Sequence, residues 1–372
     1  MGMKSFDVAI AGGGLIGAAI ALELARAGLR VGLFDMQEPG REASWAGAGI
    51  LSPAPESSAM LPLVELGRAS LAMYPQFVRE VEEVSGQEVG YRRNGTLETF
   101  SSRHAIEELS TVVALHHGLG LKAEPLSGEH ARQLEPAISE EVEAAVLRPE
   151  EASVDNRALT AAVLEAAQRG GAKIFAGGAV KAIRRESSRC IGLSLESEEV
   201  EAKFTVIAAG CFSGGIEGAG IYAPVRPAKG QAVALRAAEI SITRVVWSER
   251  VYLVPRNDGR ILAGATVEHV GFEKTPNAGG LSKLLAAAID VVPGLAAATV
   301  EEHWAGLRPD TPDHLPILGP TDVEGLLVAT GHFRSGILLA PITAQLIREW
   351  ITLGRVSMDW ERFSPMRFGA AS

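Results

Sequence analysis

Six residues near the start of the chain, Gly12-Gly13-Gly14-Leu15-Ile16-Gly17, have the types and spacing of a dinucleotide-binding turn. In such a G-x-G-x-x-G turn the first glycine permits a sharp bend, and the second lets the backbone approach a pyrophosphate. The third lets a helix pack closely on a sheet, and the amides at the N-terminus of that helix face the phosphates. Gly12, Gly14 and Gly17, with Leu15 and Ile16, are therefore predicted to hold a dinucleotide.

The elements that would position this turn can be read on either side of it. Apolar runs at 8–11 and 31–34 predict two strands, and Ile16, Ile20 and Leu24 at a spacing of four predict a helix between them. Asp35 follows the second strand and lies 18 residues after Gly17, the last glycine of the turn. This is close to the separation of roughly 20 residues at which a carboxylate meets a ribose hydroxyl. Residues 6–35 thus predict a βαβ unit, with Asp35 and the adjacent Met36 at the nucleotide.

Composition excludes several classes of protein. A net charge of −10, with no cluster of basic residues, argues against a nucleic-acid partner. No stretch approaches the roughly 18 uncharged apolar residues of a transmembrane segment. The two cysteines, Cys190 and Cys211, do not form a disulfide framework and suggest a reducing, cytoplasmic location. His116 and His117 have no partner at ligand spacing, so we expect no metal site.

The length of 372 residues favours two domains. Parallel-type strand and helix patterns occur at both ends of the chain and around 156–210, and antiparallel patterns fill the gaps. The clearest antiparallel pattern is a hairpin of 251–254 and 260–263, joined by a turn that contains Asp-Gly. We therefore expect an α/β plus α+β fold, in which a discontinuous Rossmann-type domain (1–85, 147–220 and 305–372) is interleaved with an antiparallel-sheet substrate domain (86–146 and 221–304).

The turn alone does not choose between NAD and FAD, because both use it. A flavin reductase that draws on NADPH usually needs a second nucleotide site, and the chain has no second G-x-G-x-x-G sequence. Two interpretations remain at this point. One is a nicotinamide dehydrogenase, and the other is a flavoenzyme that passes its electrons to another acceptor.

Further motifs follow in a characteristic order: Ala43-Ser44-Trp45-Ala46-Gly47-Ala48-Gly49-Ile50-Leu51, Lys229-Gly230-Gln231, Val251-Tyr252-Leu253-Val254-Pro255-Arg256, Gly264-Ala265-Thr266, Trp304-Ala305-Gly306-Leu307-Arg308-Pro309 and Gly331-His332-Phe333-Arg334-Ser335-Gly336-Ile337-Leu338-Leu339-Ala340-Pro341. Together they resemble the FAD-dependent D-amino-acid and amine oxidase family over nearly the whole chain. Within that family the likeness is to the glycine oxidases of thiamine biosynthesis. The last two motifs are the most specific.

The resemblance implies a flavin domain in three segments and a set of residues that bind the cofactor. Members of the family that link FAD covalently use a cysteine shortly after the position of Arg308, and 309–316 contains none, so FAD is expected to be non-covalent. Besides those of the glycine-rich turn, the expected cofactor residues are Asp35, Met36, Ser44, Ala48, Gly49, Ile50, Val180 through its backbone, Gly210, His332, Phe333, Arg334, Ser335, Gly336, Ile337 and Leu338.

The resemblance also places Tyr252, Arg308 and Arg334 at a substrate site. A guanidinium fork matches a carboxylate, and a phenol can donate to the same oxygens, so these residues would orient a small amino acid. The implied reaction is hydride transfer to FAD, hydrolysis of the imine to an oxo acid and ammonia, and reoxidation by oxygen with release of hydrogen peroxide. The alternative is a D-amino-acid or imino-acid dehydrogenase that uses a quinone or carrier. The sequence leaves a homo-oligomer open.

Three residues depart from the pattern of the glycine oxidases. Arg250 stands two residues before Tyr252, so it shares a strand face with that tyrosine and either points inward or lies at the pocket rim in solvent. Val267 shortens one wall of the expected pocket, and Trp45 adds bulk beside the flavin loop. These departures predict a preference that is not strictly glycine. For His314 and His332 we expect packing or hydrogen-bonding roles, and for Cys211 a buried, unreactive thiol.

Overall fold

The structure, a computed structural model, describes residues 4–368, without the side chains of 103–106 and 108. The expected segments 1–85 and 305–372 therefore extend at 1–3 and 369–372 beyond the described residues. None of the described helices is both long enough and apolar enough to cross a membrane.

Strands and helices alternate in the first part of the chain, and runs of consecutive strands occupy 173–207, 226–264 and 299–330. The strands are β1 (Lys4–Ala11), β2 (Val31–Phe34), β3 (Ile50–Leu51), β4 (Thr96–Phe100), β5 (Glu124–Ser127), β6 (Ala144–Arg148), β7 (Ala152–Ser153), β8 (Lys173–Phe175), β9 (Val180–Glu186), β10 (Arg189–Leu195), β11 (Glu199–Ile207), β12 (Arg226–Arg236), β13 (Val245–Trp247), β14 (Tyr252–Pro255), β15 (Arg260–Gly264), β16 (Thr299–Asp310), β17 (Ile317–Pro320) and β18 (Leu326–Thr330). The helices are α1 (Leu15–Arg26), α2 (Ala43–Ala46), α3 (Val64–Ser85), α4 (Arg103–Gly118), α5 (Gly128–Leu134), α6 (Asn156–Arg169), α7 (Ala278–Val291) and α8 (Gly336–Leu353).

The first sheet has the strand order β17-β18-β11-β1-β2-β8, with β9 and β10 attached to β11 as antiparallel strands. Its centre, from β18 to β8, is parallel. Parallel strands are covered on both faces, which is why β2 and β18 are buried at every position and largely apolar. The carboxyl ends of β1, β2, β11 and β18 lie along one edge, where open α/β sheets bind ligands.

Helices α1, α3, α6 and α8 pack together against one face of this sheet. Ile20, Leu22 and Leu24 of α1 are fully buried there, and each such side chain contributes about 1.5–3 kcal/mol. Gly17 is needed for the close packing of α1, because a Cβ at this position would lie 2.0 Å from the carbonyl oxygen of Gly12. The approach of α1 to the glycine-rich turn therefore leaves no room for a side chain at position 17.

The second sheet has the order β16-β12-β15-β14-β13-β4-β6-β5 and is antiparallel except for the pair β4 and β13. Helix α7 covers one face, where Leu284, Ala287 and Ala288 join the core. The opposite face carries Ala232, Trp304 and Tyr252 and packs toward α2 and the loop beyond it. The sheet therefore presents one face to the first half of the molecule and closes a cleft against it.

The expected fold class is confirmed, because a Rossmann-type parallel sheet built from separated segments is interleaved with a largely antiparallel sheet. The predicted hairpin forms as β14 and β15. Strand β11 ends at Ile207, and the chain then turns into a short 3₁₀ segment that begins at Gly210. The expected domain boundaries near 146 and 304 fall inside β6 and β16.

Candidate active site

One cleft of about 950 Å³ runs from the carboxyl edge of the first sheet to the open face of the second. Its volume is at the upper end of the range of roughly 300–1,000 Å³ for ligand sites, as an extended cofactor with a substrate beside it would need. Gly12, Asp35, Gly210 and His332 line it just beyond β1, β2, β11 and β18. Tyr252 and Arg308 line its other end.

The glycine-rich turn forms the narrow end of this cleft. Gly12 has φ +108°, and a Cβ there would lie 2.4 Å from the carbonyl oxygen of Ala208, so no other residue fits without strain. A Cβ on Gly14 would meet nothing closer than Ser44 Oγ at 3.3 Å. The backbone at Gly14 is thus open to the cleft, and the amide of Leu15, at the start of α1, donates to Ser44 Oγ at 2.9 Å.

Asp35 fastens the glycine-rich turn to the end of β2. Its Oδ2 accepts from the amide of Gly13 at 2.7 Å, and its Oδ1 accepts from the amide of Gln37 at 3.0 Å. Burial raises the pKa of Asp35, and these backbone hydrogen bonds oppose that rise. The carboxylate also lines the cleft, where its remaining lone pairs can accept from a ribose hydroxyl.

Arg256, at the end of the second sheet, holds the loop that carries Ala48 and Gly49. Its guanidinium donates to the carbonyl oxygens of Val154 at 3.0 Å and Ala48 at 3.0 Å, and to Asn156 Oδ1 at 2.8 Å. Burial lowers its pKa to about 10, so the side chain stays cationic at neutral pH. Gly49 has φ +72°, and a Cβ there would lie 1.9 Å from the Val154 carbonyl oxygen.

The N-terminus of α8 forms a further wall of the cleft. Ser335, Gly336 and Ile337 line the cavity, and the first amides of α8 provide positive partial charge at this wall. His332 is buried, and its Nε2 lies 3.0 Å from Thr343 Oγ1. Burial lowers the pKa of His332 to about 3, so it is a neutral hydrogen-bonding partner rather than a cation.

Tyr252 and Arg308 come together because two glycines leave room for their side chains. A Cβ on Gly264 would lie 2.6 Å from the Tyr252 ring, and a Cβ on Gly230 would lie 2.1 Å from Arg308 Nη1. Arg308 Nη1 donates to the carbonyl oxygen of Thr266 at 3.1 Å. Burial raises the pKa of Tyr252, while the nearby charge of Arg308 opposes this.

The residues around this pair fix the strands that carry it. Lys229 is buried, and its Nζ lies 3.6 Å from Glu268 Oε2. Glu268 also accepts from Gln231 at 2.7 Å and from Thr266 at 2.6 Å. The contacts of Glu268 therefore give structural roles to the motif residues Lys229, Gln231 and Thr266. They hold the backbone whose carbonyl group, at Thr266, accepts from Arg308.

Arg308 and Arg334 differ in how their charges are balanced. Arg334 forms an ion pair with Glu56. Among the described residues Arg308 has no carboxylate partner and donates only to a neutral carbonyl. A cation that faces a cleft without a counter-ion is the stronger anchor for an incoming carboxylate. Arg334 would have to share its charge with Glu56.

The three residues that depart from the glycine oxidase pattern lie at different depths. Arg250 forms an ion pair with Asp290 of α7, and its side chain is 63% exposed, so of the two expected orientations the structure shows the rim. Val267 is on the cleft wall and 42% exposed. Trp45 packs instead beneath Arg157, whose Cζ is 3.6 Å from the ring centroid, and against Trp304. It is therefore not part of the cleft wall.

All the sequence-predicted site residues except Gly17 line the same cleft. The group comprises Gly12, Gly14, Leu15, Ile16, Asp35, Met36, Ser44, Ala48, Gly49, Ile50, Val180, Gly210, Tyr252, Arg308, His332, Phe333, Arg334, Ser335, Gly336, Ile337 and Leu338.

Sequence reasoning missed Glu56, Glu98, His116, Arg148 and Trp247, which also line the cleft. Arg148 and Trp247 end their strands, but Glu98 lies in the middle of β4 and Glu56 in a loop, so no shared sequence pattern marks them. The structure contains no cluster of three or more potential metal ligands within the described part of the chain. Cys211 is buried at the cleft wall, and burial raises the pKa of its thiol to about 12, so it is not a nucleophile.

The fold and the cleft define a dinucleotide-binding oxidoreductase. The residues present fit FAD, because a turn open at Gly14, the amides of α1 and the N-terminus of α8 line one continuous cavity that ends at a cation. The model of the family described as FAD dependent oxidoreductase matches residues 7–350. The chain belongs to this family.

Relatives and solved structures extend the comparison. The chain is 34% identical to glycine oxidase of Geobacillus kaustophilus (strain HTA426), over 97% of each chain. It is 36% identical to the bifunctional protein ThiO/ThiG of Synechocystis sp. (strain ATCC 27184 / PCC 6803 / Kazusa), over 97% of this chain and 54% of that one, so it spans about half of that relative. The crystal structure of glycine oxidase from Geobacillus kaustophilus superposes with a TM-score of 0.94 at 33% identity, covering 98% of this chain and 99% of the other.

Proposed function

We propose that the protein oxidises glycine or another small amino acid with non-covalently bound FAD. The observation that carries the proposal is Arg308, a cation without a carboxylate partner among the described residues, which faces the cleft beside the half-buried Tyr252. Relatives named glycine oxidase match nearly the full length of the chain and support the choice of substrate. The overall conversion takes an amino acid, water and oxygen to an oxo acid, ammonia and hydrogen peroxide.

The chain's own residues would bind and orient the substrate. Arg308 would grip the α-carboxylate with its fork of donors, and the Tyr252 hydroxyl would donate to the same group. Fixing the carboxylate limits where the Cα–H bond can point, and such positioning can supply a large part of the rate enhancement. The chemistry that FAD supplies when bound is the acceptance of two electrons from that bond. No histidine is required as a base if the amine enters deprotonated.

Cofactor binding would rest mainly on backbone groups. The amides at the start of α1 would face the pyrophosphate, and Asp35 would accept from a ribose hydroxyl. The amides at the start of α8 would stabilise negative charge at the flavin end of the cleft. The residues 309–316 contain no cysteine, and the buried thiol of Cys211 is protonated, which supports a non-covalent cofactor.

The test is anaerobic mixing of the FAD-loaded protein with glycine, followed by admission of air. We expect the flavin absorption to bleach and then to return with one hydrogen peroxide released per turnover. Propylamine, which lacks the carboxylate, serves as the matched control and should not bleach the flavin. Bleaching that is reversed by a quinone but not by air would instead identify the dehydrogenase alternative.

The electron acceptor, pathway and location are parts of the same proposal. Oxygen is proposed as the acceptor, and a role in thiamine biosynthesis follows from the likeness to relatives named ThiO/ThiG. The two free, buried cysteines support a cytoplasmic location. The mass of the holoprotein measured by light scattering distinguishes a monomer from a homo-oligomer, which the sequence leaves open.

A further inference from the structure

A group of polar residues lines the cleft beyond the Tyr252–Arg308 pair and takes no part in the chemistry above. Glu98 of β4, Arg148 of β6 and His116 of α4 all lie on the cleft wall. Arg148 donates through Nη2 to Glu98 and pairs at 3.4 Å with the buried Glu151. Two carboxylates thus face one guanidinium, which leaves the group with one net negative charge.

Two buried polar atoms of this group lack a partner within the described part of the chain, and one of them, His116 Nδ1, can accept from a ligand in the tautomer that carries the proton on Nε2. His116 is 5% exposed and Arg148 is 6% exposed, yet neither His116 Nδ1 nor Arg148 Nε has a hydrogen-bond partner. Buried polar atoms in native proteins are nearly always paired, and an exception calls for an explanation. Glu98 is 25% exposed through its side chain and uses only Oε2 for Arg148 among the described residues, so Oε1 is free to accept from the cleft.

The register of the second sheet aligns this group with Tyr252, which together with Arg308 forms the proposed carboxylate clamp. Tyr252 pairs with Trp247, and Trp247 pairs with Glu98. Directly paired residues point to the same face, so all three side chains stand toward the cleft, which each of them lines. Two strand spacings separate the Cα atoms of Tyr252 and Glu98 by about 9–10 Å. Trp247 lies between them, with its ring centroid 5.7 Å from that of Tyr252.

We propose that Glu98 and Trp247 form a side-chain subsite for an amino acid with a cationic side chain. The inference rests on the proposed function, since Tyr252 and Arg308 hold the α-carboxylate. The methylene groups of the substrate would lie along the indole of Trp247, and its terminal ammonium would reach Glu98. Arg250 does not offset this negative end, because its charge is paired with Asp290.

The direct test measures ligand affinity and does not depend on turnover. Calorimetric titration of the FAD-loaded protein compares 5-aminopentanoate with pentanoate and glutarate, which share the carboxylate and differ at the far end. We expect 5-aminopentanoate to bind at least tenfold more tightly than pentanoate, and glutarate to bind most weakly. Equal affinities, or tightest binding of glutarate to Arg148, would overturn the inference.

Variants of the wall residues assign the effect to Glu98. Glu98→Gln should reduce the preference for 5-aminopentanoate over pentanoate to about one. Glu98→Asp, which keeps the charge and the pairing with Arg148, should retain part of the preference, and it also serves if the glutamine variant does not fold. Glu249→Gln removes a carboxylate at the exposed rim of the same cleft and should keep the full preference. Loss of preference in the rim variant alone would contradict the assignment.

A kinetic comparison separates this inference from the proposed function. Both enantiomers of ornithine and of norvaline are compared with glycine by anaerobic bleaching of the flavin. Faster bleaching by ornithine than by norvaline supports the subsite. Bleaching by glycine with no advantage for ornithine contradicts the subsite and leaves the proposed function standing. Absence of bleaching by any amino acid contradicts the proposed function, while the calorimetric preference still decides on the subsite.

Discussion

The two ends of the cleft are built from different parts of the polypeptide. At the cofactor end glycines at 12 and 14 bring backbone amides and carbonyls to the surface of the cavity. At the substrate end the wall is made of side chains, and Tyr252 and Arg308 project over Gly264 and Gly230. Backbone walls tolerate few substitutions, whereas side-chain walls can change selectivity while the fold is retained.

Arg256 connects the two ends. It belongs to the strand pair that carries Tyr252, but its three hydrogen bonds go to the loop at Ala48 and to the start of α6. This buried guanidinium is thus one of the contacts that hold the strands of Tyr252 against the loop at Ala48, together with the hydrogen bond from Trp304 Nε1 to the carbonyl oxygen of Ala46. The contrast between the ends can be tested by substitutions in each of them and in this link.

The largest effect is expected from glycines at the cofactor end. Gly12→Ala places a Cβ 2.4 Å from a backbone oxygen at a φ of +108°, so the free energy of unfolding should fall by about 3 kcal/mol or more. Gly14→Val should leave the fold nearly unchanged but abolish flavin retention, because the added atoms enter the cleft. Thermal unfolding and the flavin content of the purified proteins measure the two effects. Equal stability of both variants would contradict this division.

The substrate end should respond in catalysis rather than in folding. Arg308→Ala should lower kcat/KM for glycine, and the loss should correspond to about 2–5 kcal/mol of transition-state stabilisation. The change should appear mainly in KM, and the flavin spectrum should be unchanged. The reason is that a substrate carboxylate would remain in the cleft without its counter-ion. Steady-state peroxide release measures the loss. A variant with normal KM would show that Arg308 does not bind the carboxylate.

Substitution of Arg256, which connects the two ends, should affect both the stability of the protein and its affinity for flavin. Arg256→Met keeps the volume of the side chain but leaves the oxygens of Val154, Ala48 and Asn156 without their donor, which should cost about 2–4 kcal/mol of stability. Flavin affinity should fall together with stability. The matched control, Arg236→Met, removes a guanidinium from the exposed end of β12 and should change neither. Normal flavin affinity in Arg256→Met would argue against coupling of the ends.

A smaller effect is expected from Tyr252→Phe. The substitution removes one donor from the clamp, while the ring continues to pack against Gly264. The decrease in kcat/KM should therefore correspond to about 1 kcal/mol. Burial raises the pKa of this phenol, so the hydroxyl stays protonated and available as a donor across the neutral range. The ratio of kcat/KM for variant and wild type should therefore be constant between pH 6 and pH 9. A ratio that changes with pH would point to a titrating tyrosine.

The same contrast explains what could be predicted from the sequence. The cofactor end was predictable because glycines, apolar runs and Asp35 follow the chain in a fixed local order, and each has a backbone reason. The pairing of Tyr252 with Arg308 depends on the register of β12, β14, β15 and β16, which no local pattern sets; it was reached through the family resemblance. Glu98 and Arg148 were missed because they face the cleft only through the pairing of β4 with β13 and β6.

Arg250 should have the smallest effect of all, although the sequence made it a candidate for substrate selection. It stands two residues from Tyr252, but its guanidinium extends to Asp290 of α7 and is largely exposed. Surface ion pairs contribute little, so Arg250→Ala should change kcat/KM by less than about twofold and leave the ranking of glycine, sarcosine, D-alanine, D-proline and D-aspartate as in the wild type. Selective loss of D-aspartate oxidation would show that Arg250 leaves Asp290 and turns inward when substrate binds. With an unchanged ranking, selectivity at the substrate end has to come from residues on the inner wall, such as Trp247 and Glu98, rather than from the rim.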